Sequence, residues 1–206
     1  MTTETQRENR GKLLVFEGID GTGKSTHIRL LTEYLEARGI TVRTSFEPTH
    51  GEWGMRVRAA AISGQRLSIE KEIECLLRDR REHVEQLIEP ALAAGSWVLL
   101  DRYYLSMMAY QGASGANVQQ IRAWNESFAP EPDLAFLLDI PVELSMQRIQ
   151  ERGQGGDAFE KRSFQEACAR IYAEMKMPWL CRIPANGTRE ETQAAIRAEV
   201  QQRLGV

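Results

Sequence analysis

Five short runs of mainly apolar residues recur along the chain: Lys12–Glu17 (KLLVFE), Thr41–Phe46 (TVRTSF), Trp97–Asp101 (WVLLD), Leu134–Asp139 (LAFLLD) and, more weakly, Leu180–Pro184 (LCRIP). Runs of this length without a sustained polar alternation predict strands buried on both faces, as in a parallel sheet. Helical spacing fills the intervals. Lys24–Arg38 sets Ile28, Leu31 and Leu35 on one face and stops at Gly39, a residue suited to the left-handed turn past a helix end. Ile69–Ala94 repeats the pattern with Ile73, Leu76, Leu77, Val84, Leu87 and Ile88. Val142–Arg152 runs into a Gly-rich GQGG stretch, Phe159–Lys176 is amphipathic, and Thr188 with Glu191 has the spacing of a capping box at the start of the last helix. Strands alternating with helices predict a three-layer α/β/α domain with roughly five parallel strands and right-handed crossovers. Ligands of such folds bind outside the carboxyl ends of the strands.

The chain has 206 residues, which suits one domain. Residues 1–10 are polar and read as a flexible tail, and 11–206 as a single domain. A net charge of −3 argues against a protein that grips nucleic-acid backbone, but leaves room for a small anionic substrate. Cys75, Cys168 and Cys181 are odd in number and far apart, so neither a disulfide framework nor a zinc site is expected. Idle thiols fit a reducing cytosol. The polar start is no secretory signal and no apolar run approaches a membrane span, so a cytoplasmic chain without nucleic-acid or membrane partners is expected.

Gly18-Ile19-Asp20-Gly21-Thr22-Gly23-Lys24-Ser25 matches G-x-x-x-x-G-K-[ST], directly after the first strand and at the mouth of the first helix. The glycines let the backbone turn its N–H groups inward, and the helix N-terminus adds partial positive charge. Lys24 reaches the β- and γ-phosphates of a nucleotide, and the Ser25 hydroxyl is a Mg²⁺ ligand. With Thr26, these residues form the expected ATP-binding set on a P-loop NTPase fold. Asp101 closes the third strand beside Arg102; its carboxylate either holds the metal or orients an acceptor, or merely caps the next turn. No guanine-reading Asn/Thr-Lys-x-Asp segment occurs. Arg148 and Arg152 share a helix face just before the GQGG flap. A short lid near 148–162 is expected to exclude water and bring these arginines onto the transferred phosphoryl group; the plain alternative is a solvated basic helix end.

These motifs together resemble the thymidylate kinases of the nucleoside monophosphate kinase group, over nearly the whole chain from Lys12. The segments that carry the resemblance are Phe16–Ser25, Glu47-Pro48, Arg80–His83 with Ile88–Leu92, Asp101–Gly112 (DRYYLSMMAYQG) and Pro132-Asp133. The resemblance implies a homodimer that transfers the ATP γ-phosphoryl group to dTMP. It implies Asp20 near the acceptor sugar, Arg102 on the acceptor phosphate, Arg80 at a base carbonyl and Gln111 at the base edge. Glu47 and Tyr110 join this acceptor set, although Tyr103, Tyr104 and Tyr110 remain alternatives for the tyrosine that reaches the site. Gly21 stands where one family type carries arginine, so Arg148, Arg152 and Arg162 are expected to supply the charge. Four departures stand out. Phe46 replaces the arginine of Arg-Glu-Pro. Leu76 occupies the place of a base-stacking Phe. Met107 replaces a small polar residue, and Asp157–Glu160 lacks the flap arginine. Two readings of Leu76 and Met107 stand side by side, core packing or an altered base pocket. The rival functions are a same-fold kinase with another nucleotide or nucleoside as acceptor, and a nucleotide-binding switch without turnover. Trp53-Gly54 is read as a loop, with a packed Trp.

Overall fold

The strands form where the apolar runs predict them. The structure, a computed structural model, describes residues 10–65, 67–151 and 158–206, with side chains left out for 158–161. β1 (Leu13–Glu17), β2 (Val42–Phe46), β3 (Trp97–Asp101), β4 (Leu134–Asp139) and β5 (Leu180–Pro184) make one parallel sheet in the order β2-β3-β1-β4-β5. β1 is buried at all five positions, and β3 and β4 at all but the last. The edge strands differ: β2 has no buried position and β5 alternates. That is why VRTSF and LCRIP are the least apolar runs.

Helices cover both faces, giving the three-layer α/β/α arrangement expected. α1 (Lys24–Glu36) and α9 (Arg189–Leu204) pack together and against strands, while α5 (Tyr104–Ala113) packs with α3 (Ile69–His83), α6 (Val118–Glu126) and α8 (Ala158–Glu174). α7 (Val142–Glu151) precedes α8. α3 continues through a π-helical turn (Val84–Ile88) into α4 (Glu89–Ala93). Pro90 explains the bulge, because it lacks an N–H and its ring crowds the preceding turn. Thr188 and Glu191 form the capping box at the start of α9.

One feature departs from the expected organisation. Trp53-Gly54 is not a loop but lies in α2 (Glu52–Ser63). Gly54 is required there, since a Cβ would sit 2.3 Å from Thr49 O. Trp53 is half buried, donates to Glu82 Oε1 at 3.0 Å, and lies under the guanidiniums of Arg56 and Arg78. Arg10, placed in the tail by composition, makes two hydrogen bonds to Glu89 at 3.0 and 3.1 Å. Gly11 donates to Leu92 O. Among the described residues no helix is long and apolar enough to cross a membrane.

The connections after β1 and β3 leave in opposite directions, toward β2 and β4 respectively. These neighbouring strands therefore open a crevice at their carboxyl ends. The register pairs Phe16 with Asp101, so the loop after β1 and the Asp101-Arg102 pair lie level across that crevice.

Candidate active site

The loop 18–23 wraps tightly because three glycines hold positive φ: Gly18 at 133°, Gly21 at 79° and Gly23 at 94°. Gly23 caps α1 without a side-chain hydrogen bond, which leaves the helix N-terminus open to an anion. Lys24 is buried, and its Nζ donates to Gly18 O and Ile19 O at 3.1 Å each. Burial, reinforced by the nearby Arg102 charge, pulls its pKa down from 10.5 to about 8. The Ser25 hydroxyl donates to Asp101 Oδ2 at 2.6 Å, joining the loop to the end of β3.

Arg102 occupies the junction. Its φ of 73° is left-handed, a conformation that costs a non-glycine residue about 1–2 kcal/mol. Its guanidinium donates to Gly18 O (3.2 Å), Ser106 Oγ (3.0 Å), Tyr110 Oη (3.1 Å) and Asp20 Oδ1. Asp20 also accepts from Gln165 Nε2 at 3.1 Å. Burial tends to raise the Asp20 pKa, but Arg102 and Lys24 outweigh it and the net shift is down. Beneath them Glu17 is fully buried. It accepts from Ser106 Oγ (2.5 Å), Tyr172 Oη (3.1 Å) and the Tyr103 amide (2.9 Å). Here burial wins and the carboxyl pKa is raised despite Ser106, Arg102 and Tyr172.

Three cavities run together along this line. The central one, about 230 Å³, is lined by the phosphate loop with Lys24, Ser25, Asp101, Arg102 and Ile149. A second, about 210 Å³, shares Asp20 and Arg102 with it and reaches Glu47, Leu76, Arg80, Met107, Tyr110 and Gln111. A third, about 350 Å³, shares Gly21, Gly23 and Thr26 with the centre and extends to His27, Arg148 and the loop 185–189.

The second cavity has a polar floor and an apolar wall. Arg80 is buried, bonds Glu47 Oε2 through Nε (2.8 Å) and Nη2 (2.6 Å), and donates through Nη1 to Asn125 Oδ1 and Met107 Sδ. His83 Nδ1 lies 2.9 Å from Glu47 Oε1. Burial opposes ionisation of Glu47, but Arg80 and His83 prevail and hold its carboxyl below the ordinary value. Leu76 and Met107 belong to the hydrophobic core and line the cavity at once, so the two readings of these positions are not exclusive. Gln111 is buried with Oε1 unpartnered. Tyr110 lines the cavity and carries the Arg102 guanidinium over its ring at 4.8 Å, while Tyr104 is packed edge-on to Trp179. The Glu47-Pro48 peptide is cis. Phe46, in place of an arginine, lies under the Arg58 guanidinium, which also donates to Pro48 O at 3.0 Å.

On the other side, Arg148 bridges Gly21 O (3.3 Å) and Ala185 O (3.4 Å). Ser145 Oγ donates to Asp20 O at 2.6 Å, so α7 rests on the phosphate loop. Arg162 is instead paired with Glu143 and Glu166, tying α8 to α7 rather than facing the phosphate loop. Arg152 and the GQGG stretch lie outside the described residues. Composition did not single out Glu17, Ser106, Tyr172, Gln165 or Asn125. Glu17 carried one usable signal, a carboxylate ending an apolar strand, the same signal that marked Asp101.

A phosphate loop between two cavities, on this strand order, defines a P-loop phosphotransferase of the nucleoside monophosphate kinase class. The thymidylate kinase family model matches residues 16–196. The chain belongs to the thymidylate kinase family. It is 54% identical over 197 residues to the thymidylate kinase of Akkermansia muciniphila, covering 96% of this chain and 95% of that protein. It is 46% identical over 197 residues to that of Desulfotalea psychrophila, covering 95% and 97%. For that of Xanthomonas campestris pv. campestris the figures are 49% over 168 residues, covering 82% and 73%.

Proposed function

We propose that the chain transfers the γ-phosphoryl group of ATP to the 5′-phosphate of dTMP, giving ADP and dTDP. The observation that carries this reading is the continuity of the three cavities, with Asp20 and Arg102 common to the central one and the second. ATP takes the third cavity, with its β- and γ-phosphates on the loop amides and Lys24. The dTMP phosphate meets Arg102, whose four bonds fix its fork. Asp20, held by Arg102 and Gln165, faces the acceptor sugar. Gln111 offers Oε1 to the base edge, and Arg80 stands behind the base with Glu47 holding its orientation. Leu76 and Met107 supply apolar walls.

The oxygen pair of Ser25 and Asp101 suits Mg²⁺, an ion that takes few protein oxygens and completes its octahedron with water and phosphate. Bound there, it supplies charge neutralisation on the phosphates. Arg148, bonded to Gly21 O, is poised at the rim to add charge on the transferring group, and Arg152 is assigned the same role from sequence. Catalysis then rests on positioning and electrostatics, with no strong base required. A cytoplasmic homodimer completes the reading. Family membership supports it.

Arg102→Ala tests the junction. It should lower kcat/KM for dTMP by roughly 10²–10³-fold, the loss typical of a preorganised charge donor, with KM for ATP changed much less. An unchanged acceptor kcat/KM contradicts the assignment.

A further inference from the structure

A separate groove of about 510 Å³ lies between α1 and α9, outside the line of three cavities. Its walls carry Arg38, Arg189 and Arg197 against one carboxylate, Glu190. None of the three arginines is in an ion pair among the described residues. Arg38 and Arg197 both lie over the Tyr34 ring, at 3.5 and 4.6 Å from its centroid. Like charges gathered on one ring raise the local potential, and arginines so arranged match an oxyanion.

A second observation is independent of the charge. Gln193 lines the groove, is only 4% exposed, and its Nε2 has no partner. Arg197 Nε and Tyr34 Oη are likewise buried and unpartnered. Buried polar groups in folded proteins almost always find partners. The nitrogens here are donors only, so the ligand they fit is an acceptor with several oxygens. Two guanidiniums already lie over the Tyr34 ring and compete with any nucleobase for it. The ligand is therefore read through its anionic end.

We propose that this groove is a second anion site, which binds a small phosphorylated metabolite. It adjoins the third cavity through Arg189, which lines both. Gln193 Oε1 also lies 2.9 Å from His27 Nδ1, and the His27 ring lies beside Gly23 of the phosphate loop.

The test uses the whole enzyme saturated with ADP, magnesium and dTMP, titrated calorimetrically with inorganic pyrophosphate and, separately, with ribose 5-phosphate. Saturable one-to-one binding of either probe is expected. Pyrophosphate alone would mark a polyphosphate site, and ribose 5-phosphate a monoester site. The double variant Arg38→Gln/Arg197→Gln should bind roughly tenfold or more weakly, from the loss of charge-assisted hydrogen bonds, at an unchanged basal rate of ADP release. Ala194→Glu places a carboxylate in the groove at an exposed helix position, where folding is not at risk, and should have the same effect. Absence of saturable binding by both probes overturns the proposal. So does equal affinity in the wild type and both variants, which would put the probe on the phosphate loop.

Discussion

Lys24 brings a buried charge to a site crowded with other ionisable groups, and its pKa near 8 records the cost. Because this value lies below the 10.5 of free lysine, the folded chain binds fewer protons than the unfolded chain between about pH 8 and 10.5. Burial of Lys24 therefore costs stability below pH 8, and that cost is relieved as the pH rises through this window. Nucleotide phosphates beside Nζ should push the pKa back up. ATP binding at pH 8 should then take up about half a proton, seen by calorimetry in buffers of different ionisation enthalpy. Lys24→Ala should bind without that uptake and lose turnover by about 10²-fold or more; normal turnover would remove Lys24 from the chemistry. Glu47 is shifted in the same direction, so stability again rises with pH, but here, against the cost of burial, Arg80 and His83 favour the ionised form. Its depressed pKa gives stability that is present above about 4.5 and lost as the pH falls below it. Glu47→Ala leaves Arg80 buried and short of its partner, and should cost about 3–5 kcal/mol in denaturant unfolding. A change within experimental scatter would show that Asn125 and Met107 suffice for Arg80. At this scale the sequence is legible where function is contiguous, as in residues 18–25 and 101–102. Arg80, Leu76, Met107 and Gln111 became legible through resemblance and helical spacing. Gln165 and Asn125 gave no signal, because the residues they hold, Asp20 and Arg80, are 145 and 45 positions away.

Among the elements, the contact between the phosphate loop and α7 fixes where Arg148 sits. A Cβ on Gly21 would stand 2.8 Å from Ser145 O and 3.5 Å from the Arg148 side chain, at a φ of 79°. An arginine at position 21 would displace α7, which is why the proposed mechanism takes its charge from Arg148 on α7. Gly21→Ala should cost at least about 1–2 kcal/mol from the left-handed backbone alone and loosen Arg148, lowering kcat; wild-type kinetics and melting temperature would contradict this packing. The five strands were legible because β1, β3 and β4 are buried on both faces and their runs are unbroken. α2 was not, since its sequence reads EWGMRVRAAAIS with one buried residue, Gly54, and little apolar stripe to betray it. The π-turn in the long helix needed the three-dimensional response to Pro90. α5 was partly legible: Met107 and Gln111, four apart, do share the cavity.

At the scale of the whole molecule, the order β2-β3-β1-β4-β5 sets the phosphate loop and Arg102 side by side, and α3 and α5 wall one cavity while α7 and α9 border the other. This division into two sides of one phosphate cradle distinguishes a phosphotransferase from a switch, which needs no second substrate cavity. Gln111, Arg80 and Arg102 favour a nucleotide acceptor; Leu76 and Met107 leave its base as the point most exposed to test. The direct measurement is ADP release from ATP and Mg²⁺ with each of dTMP, dUMP, UMP, CMP, AMP, GMP and thymidine. The proposed transfer to dTMP predicts a clear preference for dTMP and no acceptor-independent hydrolysis of comparable rate. Preference for another acceptor, or hydrolysis indifferent to all of them, would contradict it.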